Sequence, residues 1–412
     1  MAALTDSVSR RFVIIGNGIA GTTAAEQIRK GDPSAQITLV TNEPYPLYNR
    51  IALPPFLKQK VTQQKVMIRS LAWHEERAIQ LLREETAVRV CVAEREVHLA
   101  SGKVLPYDVL LIATGGRANP LPGAAKLRNI FNFQTLDDAL AISAQIERSR
   151  HAVVVGGSYI SYELTEAFRA RGLHTTWVMR GPWFLRRVLD AEGGALVDRI
   201  AAHHGVEVIH GAEVAEVRGK DGEVREVVTT NGRVLPCELL GVGVGITRNI
   251  EFLEGTGIAI TGGGVMTDEF LRTSVPNIFA AGDVAAYFDR YVGGHITMGT
   301  WDNATNHGKV VGQNMLGAHI PYDDVPTYST TLFHNRIMAF GATPESNPEV
   351  ESVAWLDEAS ESYRRLFFHG ERLVGGVIIG QRKGFPKLLD MIKQRTPVHP
   401  SERAKVLTET LQ

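Results

Sequence analysis

A short apolar run that ends in glycine and opens into a helix of small residues occurs twice in this chain, and few folds use that arrangement twice. The first copy is RFVIIGNGIAGTTAAEQIRK. Phe12 to Ile15 reads as a buried strand, Gly16-Asn17-Gly18-Ile19-Ala20-Gly21 as a complete Gly-x-Gly-x-x-Gly turn, and Thr22 to Lys30 as a helix stopped by Gly31-Asp32-Pro33. A second strand, Ile37 to Val40, leads to Glu43, 27 residues after the first glycine. In that strand–turn–helix setting the pattern has a mechanism: glycines let backbone approach a pyrophosphate, the helix N-terminus faces its negative charge, and the late acid accepts from ribose hydroxyls. Gly16, Gly18, Gly21 and Glu43 are therefore candidate dinucleotide contacts.

The second copy is VVVGGSYISYELTEAFRARG, from Val153 to Gly172, followed by the strand HTTWVMR. Its turn reads Gly156-Gly157-Ser158-Tyr159-Ile160-Ser161, with serines at two glycine positions. Serine is small enough for the close helix packing required at Ser161, and the Ser158 hydroxyl could bond a phosphate oxygen. Two such units predict one nucleotide held permanently and one that visits.

Composition narrows the class. With 412 residues the chain has room for two to three domains, and a net charge of −1 gives no basic footprint for nucleic acid. No apolar run reaches the length of a spanning helix. The opening MAALTDSVSRR carries no apolar signal core, so a cytoplasmic location is expected. Only two cysteines occur, Cys91 and Cys237, too few and too far apart in sequence for an iron–sulfur ligand set, and no metal site is expected. They read as structural thiols in a reducing compartment.

Between and beyond the two units the pattern is strand-rich. Thr86 to Pro106 alternates as a small meander or hairpin with a turn at Gly102, then YDVLLIATGG gives a buried strand, Val109 to Ala113. Thr135 to Arg148 reads as a helix with Asp137 and Asp138 in its first turn, and Lys220-Asp221-Gly222 as a turn between strands. Ile278 to Ala281 is a further strand ending in Gly282-Asp283, and the residues from about Tyr322 read as an α+β segment with strands at Tyr363–His369 and Leu373–Ile379.

Taken together, GNGIAG, the Ala113–Gly116 ATGG and TSVPNIFAAGD from Thr273 to Asp283 resemble the two-dinucleotide-binding flavoprotein reductases, over nearly the whole chain and in the right order. That superfamily includes glutathione reductase, coenzyme A disulfide reductase, NADH oxidases, rubredoxin and ferredoxin reductases and the flavin part of nitrite reductase. The resemblance implies an α/β fold with two Rossmann-like domains and a C-terminal α+β interface domain. FAD would be bound by residues 1–117 and 246–321, NAD(P) by 118–245, and 322–412 would form the interface domain. It also implies that Gly16, Gly18, Gly21, Glu43, Thr114, Gly115 and Asp283 hold FAD, that Arg50 lies along it, and that Trp301 marks a helix start near the flavin ring. Gly156 and Ser158 would meet the second nucleotide. Tyr159 matches a tyrosine that covers the flavin and swings aside for nicotinamide.

The same resemblance shows what is missing. Where disulfide-reducing members carry a cysteine, this chain has Ile51, so no thiolate is supplied for disulfide exchange. Ferredoxin-reductase-like members carry a lysine that pairs with a glutamate beside the flavin. Here the glutamate is Glu163, the lysine's place reads Pro54-Pro55, and Lys58 or Lys60 could substitute. Without a cation, a buried Glu163 would have a raised pKa. At the end of the second unit's second strand, Met179 stands where NADH-using relatives place an acid, and Arg180 and Arg186 have the spacing of a 2′-phosphate grip. NADPH is therefore favoured, with NADH left open.

Three functions remain. The chain could be an NAD(P)H-dependent FAD reductase serving a ferredoxin or rubredoxin. It could be the flavin subunit of an iron–sulfur complex, such as a 2-oxoacid oxidoreductase, working toward NAD(P)+. It could also be a non-catalytic FAD-binding subunit. Electron acceptor, direction of flow and homo- or hetero-oligomeric state stay open.

Overall fold

The computed structural model describes residues 9–124, 127–344 and 346–409. Two βα openings organise it: β1 (Arg11–Ile15) with α1 (Ile19–Gly31), and β2 (His151–Val155) with α2 (Tyr159–Ala170). A further helix, α3 (Trp301–Met315), completes the set needed below. The chain divides into two compact units, residues 1–49, 67–117 and 247–324 in the first and 50–66, 118–246 and 325–412 in the second.

In the first unit a five-stranded sheet runs Ile278–Ala280, Val109–Ile112, β1, Gln36–Val40, Ile79–Leu82, all parallel. Parallel strands buried on both faces need continuous apolar runs, and β1 supplies one. Phe12 and Ile14 pack with Ala20, Ala24, Ala25 and Ile28 of α1. Val13 and Ile15 join Val97, Leu99 and Leu105 on the other face. Those last residues belong to a three-stranded antiparallel meander, Ala87–Cys91, Glu96–Leu99 and Val104–Pro106. α1 starts at Ile19, three residues before the expected Thr22, because Gly21 is a helix residue seated against the turn itself.

In the second unit a parallel sheet runs Val206–His210, His174–Met179, β2, Leu239–Val242, Ile130–Asn132. The helix Leu136–Ile146 is fixed at its start by Thr135, whose hydroxyl accepts from Asp138 N–H while the Asp138 carboxylate accepts from Thr135 N–H. Asp221 and Gly222, both at positive φ, close the hairpin between Val214–Lys220 and Glu223–Thr229. A five-stranded antiparallel sheet, Thr327–Leu332, Asn335–Gly341, Arg372–Ile379, Ser362–His369 and Glu351–Asp357, belongs to the same unit. The α/β class with two Rossmann-like sheets and a C-terminal antiparallel sheet is thus the observed one. Among the described residues no helix is long and apolar enough to cross a membrane.

Candidate functional site

The first glycine turn is shaped by two contacts that no side chain would survive. Gly16 has φ +117°, and a Cβ there would lie 2.1 Å from the Ala113 carbonyl oxygen. A Cβ on Gly21 would lie 2.0 Å from the Gly16 carbonyl oxygen. Gly18, the N-cap of α1, has neither restraint: no side chain caps the helix there, and an added Cβ meets nothing within 4 Å. An uncapped first turn with open space in front of it presents N–H groups and the positive end of the helix dipole to an anion. The cradle fits the pyrophosphate of FAD.

Other predicted residues converge on this end of the first sheet. Glu43 follows Gln36–Val40, and its Oε2 accepts from Tyr48 Oη at 2.6 Å. Thr114 and Gly115 are tied to Asn249: Thr114 Oγ1 donates to its carbonyl at 2.8 Å, Asn249 Nδ2 donates to Thr114 O at 3.0 Å, and Asn249 N–H donates to Gly115 O at 3.1 Å. Asp283 lies in the short 3-10 turn Gly282–Val284, where a Cβ on Gly282 would sit 3.2 Å from Ala20 Cβ of α1. That turn is anchored by fully buried His307 of α3, whose Nδ1 accepts from Gly282 N–H at 3.2 Å. Burial holds His307 down to about 3, so the ring is neutral. Sequence reasoning singled out neither Asn249 nor His307, because their side chains bind backbone groups that only the fold brings near. Trp301 is the first residue of α3, but Thr300 caps that helix by accepting from Asn303 N–H at 3.3 Å, and Asp302 sits in the first turn. Both reduce the positive potential expected there.

The second turn copies the first in backbone and differs in its donors. Gly156 has φ +124°, with Gly243 O 2.1 Å from where its Cβ would be. Ser161 is buried at the close helix–strand approach, where a Cβ on Gly243 would meet Ser161 N at 2.7 Å. Its hydroxyl accepts from Ser158 N–H at 3.0 Å and donates to Ser158 O at 2.7 Å. Ser158 Oγ donates to Gly243 O at 2.9 Å. The serines thus bind one another and the neighbouring loop, and pin the turn that the glycines of the first copy leave open.

Further along α2 a buried polar cluster forms inside the second unit. The Tyr159 ring lies 3.7 Å, centroid to centroid, from Tyr328 and meets Phe184 edge-on at 6.0 Å. Glu163 Oε1 accepts from Thr330 Oγ1 at 2.8 Å, and the Tyr328 hydroxyl also donates to this carboxyl. Burial pushes Glu163 up to about 7, opposed by the Thr330 hydroxyl and the nearby Lys58 charge. Lys58, rather than Lys60, is the lysine that reaches in, yet its ion pair is with Glu166: Nζ lies 2.9 Å from Oε1, the side chains 5% and 6% exposed. Thr331 Oγ1 donates to Glu166 Oε2 at 3.3 Å. Glu166, Tyr328, Thr330 and Thr331 carried no sequence signal, since one lies on α2 outside the glycine turn and the other three come from a distant strand.

The remaining candidates are dispersed. Met179 is buried, while Arg180 is 71% exposed with Nη1 3.5 Å from Glu213 Oε1. Arg186 is exposed and packs its stem over Gly181. Arg50 Nη1 donates to Gln134 O at 2.6 Å within the second unit. Ile51 is 59% exposed. Cys237 is buried, which pushes its thiol up to about 12, and Cys91 lies at the end of a meander strand. Burial thus keeps Cys237 from being a ready thiolate nucleophile at neutral pH. No group of His, Cys, Asp and Glu suited to a metal ion occurs among the described residues.

Comparison with known proteins adds relatives. The profile of the pyridine nucleotide-disulphide oxidoreductase family matches residues 10–308, and that of the rubredoxin NAD+ reductase C-terminal domain matches 332–396. The ferredoxin–NAD(+) reductase component of the biphenyl dioxygenase system of Paraburkholderia xenovorans is 31% identical over 80% of this chain and 80% of its own length. Nitrite reductase [NAD(P)H] of Bacillus subtilis is 26% identical over 97% of this chain, which spans about half of that relative, 49%. Among solved structures, the ferredoxin reductase of the CYP199A2 system from Rhodopseudomonas palustris superposes with a TM-score of 0.88 at 26% identity, over 96% of this chain and 97% of that one.

Proposed function

This chain belongs to the pyridine nucleotide-disulphide oxidoreductase family, and we propose that it is an FAD-dependent NAD(P)H oxidoreductase that exchanges electrons with a separate redox protein. One observation carries the reading: a single chain holds two parallel-sheet glycine turns, the first with an uncapped helix start and open space before it. A resident dinucleotide fits the first turn, and a visiting nicotinamide nucleotide is assigned to the second. Gly16, Gly18, Gly21, Glu43, Thr114, Gly115 and Asp283 would hold FAD, with Arg50 and Trp301 as further contacts. FAD, when bound, supplies the hydride acceptor and the one-electron donor.

The chain's own residues supply alignment. Gly156 and Ser158 would meet the visiting pyrophosphate, and Arg180 and Arg186 its 2′-phosphate, which favours NADPH. Tyr159 would gate access and Glu163 would serve proton balance beside it. The domain assignment carried with this reading is residues 1–117 and 246–321 for FAD, 118–245 for NAD(P) and 322–412 as interface domain. With Ile51 in place of a cysteine, disulfide chemistry has no nucleophile, and the named ferredoxin–NAD(+) reductase relatives support a ferredoxin- or rubredoxin-type acceptor. A cytoplasmic location belongs to the same proposal, in keeping with two free thiols.

The test is anaerobic titration of the FAD-loaded protein with NADPH and, separately, NADH. Bleaching of the flavin band by about one equivalent of nucleotide is expected. Failure of both nucleotides would replace this reading with a non-catalytic FAD-binding subunit. Bleaching by NADH alone would remove the role given to Arg180 and Arg186.

A further inference from the structure

Lys58 has two carboxylates within reach, and it is bound to the one that the sequence does not single out. Glu163 and Glu166 are three residues apart, which puts them on one face of α2. Glu166 takes the ammonium of Lys58 at 2.9 Å and the hydroxyl of Thr331 at 3.3 Å. Glu163 receives neutral donors, Thr330 and Tyr328. A largely enclosed carboxylate hydrogen-bonded only by hydroxyls, with the Lys58 charge acting from further off, has less to stabilise its charge than one ion-paired at 2.9 Å.

We propose that Glu166 is a positioning residue: by committing Lys58 to itself, it leaves Glu163 as a half-buried acid that can hold and release a proton. The proposal rests on the functional reading above, which puts Tyr159 and Glu163 beside the nicotinamide reaction. Oxidation of NAD(P)H by two one-electron acceptors balances as NAD(P)H + 2 A(ox) → NAD(P)+ + 2 A(red) + H+. One proton must therefore leave the site in each cycle. The Glu163 carboxylate would take that proton as the nitrogen–hydrogen bond carrying it breaks, forming a carboxyl O–H bond that breaks in turn when the proton passes to solvent.

The groups facing Glu163 are Lys58 from the segment after Leu53–Leu57, Glu166 and Tyr162 on α2, and Tyr328 and Thr330 on the facing strand. His204 lies close enough to feel the charge of Glu166, and Tyr328 close enough to feel Tyr159. Burial is the main cause of the raised Glu163 titration, and the neighbouring Glu166 charge adds to it.

Infrared pH-difference spectra of the full FAD-loaded chain decide the matter, because a protonated carboxyl has its own carbonyl stretch. A band that titrates near neutral pH and is lost in Glu163→Gln is expected. In Glu166→Gln the freed Lys58 turns to Glu163, and the midpoint falls by at least about one pH unit. A band unaffected by Glu163→Gln, or a midpoint unmoved by Glu166→Gln, overturns the proposal. If Glu166→Gln does not fold, the double variant Lys58→Met/Glu166→Met keeps the question open to measurement: its midpoint must stay at or above the wild-type value, and a fall overturns the proposal. The pH profile of NAD(P)H oxidation tests the underlying reading separately. Loss of the neutral-pH limb in Glu163→Gln supports it. A persisting limb alongside the expected infrared shifts overturns the site assignment and not the role of Glu166.

Discussion

One methyl group separates folding from binding in the first turn. In Gly16→Ala the new Cβ would overlap the Ala113 carbonyl at 2.1 Å, in a backbone conformation that side chains avoid. This variant should lose both thermal stability and retained FAD. In Gly18→Ala the Cβ meets no protein atom within 4 Å, so the apoprotein should melt within a degree or two of the wild type while FAD affinity falls tenfold or more, roughly the loss of one charge-assisted contact to the anion. Melting curves of the apoproteins and flavin fluorescence titrations distinguish the two. If Gly18→Ala keeps full affinity, the pyrophosphate does not lie against α1. Glu163 makes a second residue-scale prediction. Its folded-state titration is raised to about 7, so the folded protein binds a proton that the unfolded chain releases near the ordinary glutamate value. The stability gained is fully present below that ordinary value and is lost as pH rises through about 7. Glu163→Gln should therefore gain on the wild type between pH 5 and 8, by up to about 3 kcal/mol. Urea unfolding at the two pH values measures it, and an unchanged difference would mean Glu163 ionises freely.

At the scale of elements, what the sequence reveals depends on whether a constraint is local. Both βα units are legible because a glycine turn after a buried strand is a local demand, written in adjacent residues. The helix start at Thr135, with its first-turn aspartates, and the Asp221-Gly222 hairpin are legible for the same reason. The start of α1 is read late because glycine weakens a helix by propensity, while here the packing of Gly21 on Gly16 decides. Lys58–Glu166 is illegible because the pair joins a short segment to a helix more than a hundred residues away, and nothing in either stretch marks its partner. Ser158 and Ser161 fall between these cases. Their small size is visible in the sequence, but their use as each other's hydrogen-bond partners is a tertiary outcome. The loop after His174–Met179 carries the third prediction. Arg180→Ala/Arg186→Ala should lower kcat/KM for NADPH at least about tenfold and leave NADH nearly unchanged, since the proposed role of each arginine is confined to the extra phosphate. Equal losses with both nucleotides would assign the arginines to the shared pyrophosphate or to structure.

Across the whole molecule, the second unit is assembled from three separated stretches of chain, and its polar core is made where they meet. Residues 50–66 are held by Arg50 to the Gln134 carbonyl at 2.6 Å, by Arg171 to the Leu57 carbonyl at 2.9 Å and by the Lys58–Glu166 pair. The C-terminal stretch supplies Thr330 and Thr331 to the two glutamates of α2, and Arg365 donates to the Val188 carbonyl at 3.1 Å. Glu361 gathers His203 at 3.2 Å and His334 at 2.8 Å. A chain ended after Asp324 would keep every strand of both Rossmann-like sheets but strip the hydroxyls from Glu163 and Glu166. A buried polar group left without its partner costs on the order of 1–3 kcal/mol, and more when it is charged, so losing several at once consumes much of a domain's stability margin. The shortened chain should therefore not behave as the full protein minus an appendage. Its second sheet should melt early and without cooperativity and bind a hydrophobic dye, while the first sheet, which takes no residue from the removed stretch, still retains FAD. Calorimetry and flavin absorbance on residues 1–324 read the two units separately. A sharp transition at the wild-type temperature would mean that the second Rossmann-like sheet is stable alone and that the C-terminal sheet serves it only as a cover.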